Sequence, residues 1–329
     1  MRRSDIIKKP SFLITIDTEG DNLWSRPKQV TTENARYLPR FQALCEKYGF
    51  KPTYLTNHEM ALDRTFQSFA AAIIKRETGE VGMHLHAWNS PPLYELTAED
   101  SRLSPYLVEY PKDIIEQKVQ YMTQLLEKIF PIKVCSHRAG RWNFNEAYAQ
   151  ILIKNGYRVD CSVTPGVSWK TNTDDKNRSE GQDYTNFPDK PYFIDPDDIS
   201  KAGGSPLLEV PVTIRASCGV LHSWKALAQR LFFPNSVTNL NRACWLRPNG
   251  KNLNCLLKLT KLSLDEKRDY LEFALHSSEL MPGGSPVFPN ERKIEKLYDD
   301  LEALFCEVRK YFVGRTLKEY YAVTAQNRI

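Results

Sequence analysis

No two of the seven cysteines are spaced as C-x-x-C; they stand at Cys45, Cys135, Cys161, Cys218, Cys244, Cys255 and Cys306, odd in number and scattered. Zinc-ribbon and thioredoxin-type chemistry have no support, and a reducing compartment is expected. Runs of about 18 apolar residues are also missing, so no membrane-spanning helix is expected. The basic start, MRRSDIIKKPSFLITID, lacks the apolar stretch of a signal peptide, which points to a soluble, cytoplasmic protein. Repeats and low-complexity tracts are absent. What the chain does have is 329 residues, 41% hydrophobic and 26% charged, which excludes disordered, collagenous and disulfide-scaffold classes. The length allows two domains or one large α/β barrel. Histidine is scarce at six residues, so its placement is informative.

Short β-rich runs alternate with segments of helical period, the pattern of a parallel sheet or barrel covered by helices. The spacing predicts strands over Phe12–Asp17, Pro52–Thr56, Val81–His86, Val134–Arg138, Arg158–Ser162, Leu207–Ile214 and Leu271–His276. Helices are expected over Asn34–Tyr48, His58–Lys75, Pro111–Ile129, Glu146–Asn155 and Glu291–Tyr311. In the third of these, Ile114, Ile115, Val119, Met122, Leu125, Leu126 and Ile129 form one apolar stripe. Residues 166–205, with eight acids against five bases, read as a long acidic loop or insertion. Residues 221–268, with nine Lys or Arg against two acids, read as a basic, partly helical insertion before the last strand. That lobe is either a solvated basic surface or a place for an anionic group of the substrate. No nucleic-acid-binding motif accompanies it, and a net charge of +5 is modest, so nucleic acid is not expected as a partner.

The chemically capable residues fall at the C-terminal ends of the predicted strands, the face where βα loops converge in (β/α) barrels. The first strand runs into Asp17-Thr18-Glu19-Gly20-Asp21, which places three acids toward one side if the strand stays extended. Such a cluster needs a cation, a shared proton, or a turn that caps with it. The third strand carries His84 and His86, two apart and therefore on one face, as a shared divalent metal would require. The fourth strand ends in Ser136-His137-Arg138-Ala139-Gly140-Arg141-Trp142, the fifth in Asp160-Cys161-Ser162, and the seventh in His276-Ser277-Ser278-Glu279. Arg138 is suited to holding a carboxylate ionised, and His276 to general acid or base work. Together these strand ends describe one metal-assisted hydrolase pocket.

The order of these motifs resembles the polysaccharide deacetylase superfamily, the NodB-homology or carbohydrate esterase family 4 proteins. Within it the chain looks closest to the subgroup associated with lipopolysaccharide or capsule biosynthesis. The resemblance is carried by residues 15–21, 81–86, 136–142, 159–162 and 275–280 and spans about residues 10 to 290. It implies a distorted (β/α)7 barrel, one catalytic domain over 1–329, and hydrolysis of an N-acetyl group from a sugar or glycan precursor. Implied roles are Asp17 as base, Arg138 as its partner, His276 as acid and Asp160 as the residue orienting that acid. Glu19, His84 and His86 would hold a divalent metal, most suitably Zn2+ with Fe, Co, Ni or Mn as alternatives, and Asp21 competes with Glu19. The family's adjacent aspartates are here Asp17-Thr18-Glu19, its His-x-x-x-His is His84-Leu85-His86, and its arginine motif lacks the usual proline. Trp24, Trp88 and Trp142 flank the motifs, to stack on a sugar or to pack the core. Hydrolysis of a cyclic amide or ureide in the same pocket, and non-catalytic glycan binding, are the alternatives.

Overall fold

The fold was read from a computed structural model, which describes residues 9–25, 27–98, 100, 105–170, 181–216 and 243–326. Residues 171–180 of the acidic stretch and 221–242 of the basic lobe lie outside the described residues. Twelve strands are described: β1 (Ser11–Thr18), β2 (Pro52–Thr56), β3 (Glu80–Leu85), β4 (Ser136–Ala139), β5 (Val159–Asp160), β6 (Tyr192–Asp195), β7 (Asp198–Ala202), β8 (Leu208–Glu209), β9 (Ile214–Ala216), β10 (Ala243–Trp245), β11 (Tyr270–His276) and β12 (Val313–Arg315). Around them run α1 (Leu38–Lys47), α2 (His58–Leu62), α3 (Arg64–Lys75), α4 (Lys112–Ile129), α5 (Glu146–Lys154), α6 (Leu253–Asp265), α7 (Glu291–Val308) and α8 (Leu317–Gln326).

The main sheet runs β11-β1-β2-β3-β4-β5-β8-β6-β7, parallel from β11 to β8. It curls into a half-barrel. Every residue of β1 is buried, as expected for a strand covered on both faces, which is why Phe-Leu-Ile-Thr-Ile shows no polar alternation. One cluster, including Phe12, Ile14, Ile16, Val119, Met122, Leu126, Leu301 and Phe305, fills the space between sheet and helices. A second, with Leu13, Leu55, Val159, Leu208, Leu317 and Tyr320, lies on the other face, since Leu13 alternates with Phe12 and Ile14 along β1, and α8 packs there. Parallel strands aligned in this way bring all their C-terminal ends to one face.

Several expectations are corrected by tertiary context. The helix predicted over His58–Lys75 is two helices, because Asp63 adopts an extended conformation and its carboxylate caps α3 at Phe66 N, 2.7 Å away. The acidic stretch is not only a loop: β6 and β7 form a hairpin within it that pairs antiparallel with β8. Tyr192 and Ile194 alternate inward there, and Asp195 accepts from Asp197 N at the turn. Strand β12 has no counterpart in the sequence reading; it lies beside Ser11–Leu13, ahead of the point where β2 begins to pair with β1. Cys244 of β10 and Cys255 near the start of α6 are paired as a disulfide, with their Cα atoms 6.7 Å apart.

The segment following β3 is anchored by a buried lysine. Lys118 on α4 is fully buried and donates to Ser90 O and Pro92 O, both at 2.6 Å. Burial pushes its ammonium down to about 8, and a neutral amine still has two N–H groups for the two carbonyls. The folded protein therefore holds this proton less tightly than the unfolded chain. Its contribution to stability should rise as pH climbs from about 8 toward the ordinary lysine value of 10.5. Urea titrations across that range should show a steeper pH rise for the parent than for Lys118→Met; equal slopes would remove Lys118 as the source.

Candidate active site

Asp17 leaves β1 directly opposite His276 in the β1–β11 register. Beyond it the chain is clamped: Glu19 N donates to Ser277 Oγ at 3.1 Å, and Asn34 Nδ2 donates to Glu19 O at 2.8 Å. Glu19 is thereby turned inward and buried. Asp21 takes another path. Its carboxylate accepts from Thr31 Oγ1, Glu33 N, Asn34 N and Asn34 Nδ2 at 2.6–3.0 Å. These bonds close the loop, and Asp21 lies outside the group of ligand atoms formed by Glu19, His84 and His86.

His84 and His86 project from the end of β3 with their Nε2 atoms 3.0 Å apart, and Glu19 Oε2 lies 3.5 Å from the first and 3.3 Å from the second. These three residues form a group of ligand atoms, all within 4.8 Å of one another, that could hold a metal ion. The donor set fits one. His84 Nδ1 lies 3.0 Å from Arg138 O, which can only accept, so Nδ1 carries a proton and Nε2 is the nitrogen turned to the cluster. Burial and the neighbouring His84 hold His86 neutral, pushed down to about 3. Burial alone would raise the Glu19 carboxyl, but His276, His84 and His86 outweigh it and keep it ionised. Burial would lower the His84 imidazole, but Asp17 and Glu19 outweigh it and raise it. A cation that displaced this proton would meet one carboxylate and two imidazoles, a common set for Zn2+. Gly140 makes this approach feasible, since a Cβ there would lie 2.5 Å from both His86 Cδ2 and Leu85 O.

Arg138 is buried at the centre of the site. It donates to Asp17 Oδ1 at 2.6 Å, Thr15 Oγ1 at 2.7 Å and Cys161 O at 3.0 Å, and also to Glu272. Burial raises the Asp17 carboxyl, but Arg138, with His84 and His276, outweighs that and holds it well below the usual carboxylate range. Burial pushes Glu272 up, only partly countered by Arg138. Arg138 thus stabilises one ionised carboxylate while sharing hydrogen bonds with a second acid that binds its proton more tightly.

His276 turns Nε2 toward the carboxylates, 3.7 Å from Asp17 Oδ2 and 3.6 Å from Glu19 Oε1. Asp160 does not orient it. That carboxylate accepts from His137 Nδ1 at 2.6 Å and from Ser162 N and Oγ at 2.9 Å, while His137 Nε2 meets Tyr148 OH at 2.6 Å. The carboxylate that meets His276 is Glu279, which accepts from His276 N at 2.9 Å and lies 3.4 Å from Nδ1. Arg247 Nη2 lies 2.8 Å from both His276 Nδ1 and Glu279 Oε2.

Glu272, Glu279 and Arg247 are thus site residues missing from the sequence reading. Glu272 leaves a signal, as an acid inside an otherwise apolar strand with the same parity as His276. Glu279 leaves one too: His-Ser-Ser-Glu has the spacing of a capping box, in which the acid reaches back to the first residue's N–H. For Arg247 no local signal exists. Of the tryptophans, Trp24 is 43% exposed with its ring edge-on to His276, 4.9 Å between centroids, and Trp88 stacks on His86. Trp142 is buried beneath Arg138.

No family model matches the chain, and no curated protein matches it in sequence. Solved structures do. A protein of Parabacteroides distasonis described as a glycoside hydrolase/deacetylase superposes with a TM-score of 0.64 at 10% identity, covering 98% of this chain and 72% of that one. A Mycobacterium smegmatis protein described as a polysaccharide deacetylase gives 0.53 at 16% identity, covering 97% and 92%. The 4-alpha-glucanotransferase of Thermococcus litoralis also gives 0.53, at 14% identity, with 95% of this chain matching 40% of that one. At such identities the likeness is one of fold: this chain shares the curled α/β half-barrel found in polysaccharide-deacetylase structures.

Proposed function

We propose that the chain is one metal-dependent catalytic domain of the (β/α)7 type that removes an N-acetyl group from a sugar or glycan precursor in surface-polysaccharide biosynthesis. The observation that carries this reading is the grouping of Glu19, His84 and His86 beside the Asp17–Arg138 pair and His276. Within it, Glu19, His84 and His86 would hold Zn2+, and Asp17, Arg138 and His276 act on the substrate. A divalent cation in that place supplies Lewis acidity to an amide oxygen and makes water more acidic.

The remaining steps belong to the protein. Asp17, ionised and fixed by Arg138, takes the proton of the attacking water, a contribution of about 10²- to 10⁴-fold for a positioned base. His276 presents Nε2 from the opposite strand, where a departing amine needs a donor. Trp24 offers an exposed ring beside His276 on which a sugar face can stack.

Acetate release from a panel of N-acetylated sugar nucleotides and lipid-linked sugars tests the reading, with zinc measured on the same preparation. Ring opening without acetate release would instead favour a cyclic-amide substrate. Loss of an outer hydrogen-bond partner of a metal-bound histidine typically costs about 10- to 100-fold in affinity, so loss of the ligand itself should cost ~100-fold or more. His84→Ala and His86→Ala should therefore lose their zinc on dialysis, while Asp21→Asn keeps it; zinc retained in His86→Ala would exclude His86 as a ligand.

A further inference from the structure

Resting on the deacetylase reading, we propose that the face bearing the site docks on the surface of an anionic phospholipid bilayer, where the sugar is presented on a lipid carrier. Six large apolar side chains are exposed among the described residues: Trp24, Leu62, Leu93, Tyr94, Val287 and Tyr311. Scattered singly, such residues are ordinary; gathered in one place, they mark an interaction surface. Five of the six are gathered. Trp24 follows β1, Leu62 ends α2 after β2, Leu93 and Tyr94 follow β3, and Val287 lies between β11 and α7. All five therefore stand beyond the C-terminal ends of parallel strands, around the mouth of the site. Tyr311, which leads into the start of β12, is at the opposite end.

Hydrogen bonds between the loops hold these tips as one platform. Glu59 of α2 accepts from Gly20 N at 3.4 Å in the loop after β1 and from Asn89 Nδ2 at 2.9 Å in the loop after β3. Asp63, next to Leu62, accepts from Thr32 Oγ1 at 2.9 Å. Lys118 fastens Pro92 O, and the next residue, Leu93, is 76% exposed. Tyr94 rests edge-on against Tyr110, 6.0 Å between centroids.

The chemistry of this rim selects the partner. Trp24 offers a flat ring to a sugar, but Leu62, Leu93 and Val287 have none. With Tyr94 they suit an apolar–water boundary, where Trp and Tyr settle at headgroup level. Around the mouth, within residues 20–37, 57–64, 86–96, 140–145, 247–252 and 277–290, the exposed cations among the described residues are Lys28, Arg36, Arg64, Arg141 and Lys251. Against them stand the exposed acids Glu33 and Glu95, of which Glu33 pairs with Arg36 at 3.0 Å. The half-buried Glu59 and Asp63 are engaged in the loop bonds. The surplus is positive, so anionic headgroups complement this face, whereas a second copy of it would set like charges together. No described helix is long and apolar enough to cross a membrane, and the contact is therefore with the surface.

Co-sedimentation of the full chain with vesicles tests this, using phosphatidylcholine alone and an equal mixture with phosphatidylglycerol. The parent should bind the mixed vesicles, bind the neutral ones about tenfold more weakly, and be released as salt is raised. Leu93→Ser and Val287→Ser, in different loops, should each weaken partitioning about tenfold, while Tyr311→Ser should bind as the parent does. Absence of binding to the mixed vesicles, or an equal loss in Tyr311→Ser, would overturn the proposal. So would a dimer that Leu93→Ser dissociates in place of vesicle binding, which would assign the face to a second copy. Acetate release from water-soluble N-acetylated sugars by a chain that ignores vesicles would overturn the docking and leave the deacetylase reading standing. Vesicle binding by a chain that releases no acetate from soluble or lipid-linked sugars would overturn the reaction and leave the docking face standing.

Discussion

Acetate release should fall by about 10³-fold in Asp17→Asn while bound zinc remains close to that of the parent. The amide keeps the size of the carboxyl and one acceptor oxygen for Arg138 Nη1, now 2.6 Å from Asp17 Oδ1. What it loses is the ability to take a proton. Glu19, His84 and His86 do not include Asp17, so a clean loss of rate with the metal retained separates the base from the metal ligands. A rate within tenfold of the parent would mean that another group accepts the water's proton. The nearest candidate is the Glu19 carboxylate, which lies on the same side of His276.

Arg138→Met should have the largest effect on the fold, a loss of about 3–5 kcal/mol at neutral pH, because it leaves an ionised carboxylate buried without its partner. Asp17 and Glu272 both lean on this guanidinium, and Thr15 Oγ1 and Cys161 O lose a donor with it. The penalty should shrink on acidification. In the parent, Asp17 is held below its ordinary range, so the stability it confers is present above pH 3.8 and is lost only as pH falls through the lowered folded value. In the variant, burial is opposed only by His84 and His276, so Asp17 takes up a proton at higher pH than in the parent, which relieves the buried charge. Urea midpoints at pH 7.5 and pH 4.5 should therefore converge between parent and variant. A gap below about 1 kcal/mol, or one that widens in acid, would show that Arg138 is not what offsets these acids. Arg138→Lys should restore little, since an ammonium does not reproduce a planar fork that serves four acceptors at once.

The residues around which the site is built were legible because each lies at the end of an apolar run. Asp17 near the end of β1 and Glu19 just past it, His84 near the end of β3 and His86 just past it, Arg138 in β4 and His276 ending β11 are local facts about where strands stop. Two-residue spacing also predicted correctly that the two imidazoles share a face. The pairing of Asp160 was not legible, because the choice between His137 and His276 depends on which strands are neighbours. β5 lies against β4, where Asp160 is opposite His137, whereas β11 is on the far side of β1.

The same distinction separates the acids. Asp17, Glu19 and Asp21 are nearly equivalent by spacing, yet one meets Arg138, one the histidines and one the 31–34 turn. Sequence alone determined the order of buried strands, the C-terminal face they share and the chemical types gathered there, because burial and alternation are written into neighbouring residues. Only the tertiary structure decided which acid pairs with Arg138, that Glu272 and Glu279 belong to the site, and that Arg247 reaches His276. Thr15 and Glu272 are 257 residues apart. Contacts at that separation are set by strand register and by how a loop is tied across the sheet, and neither leaves a pattern along the chain.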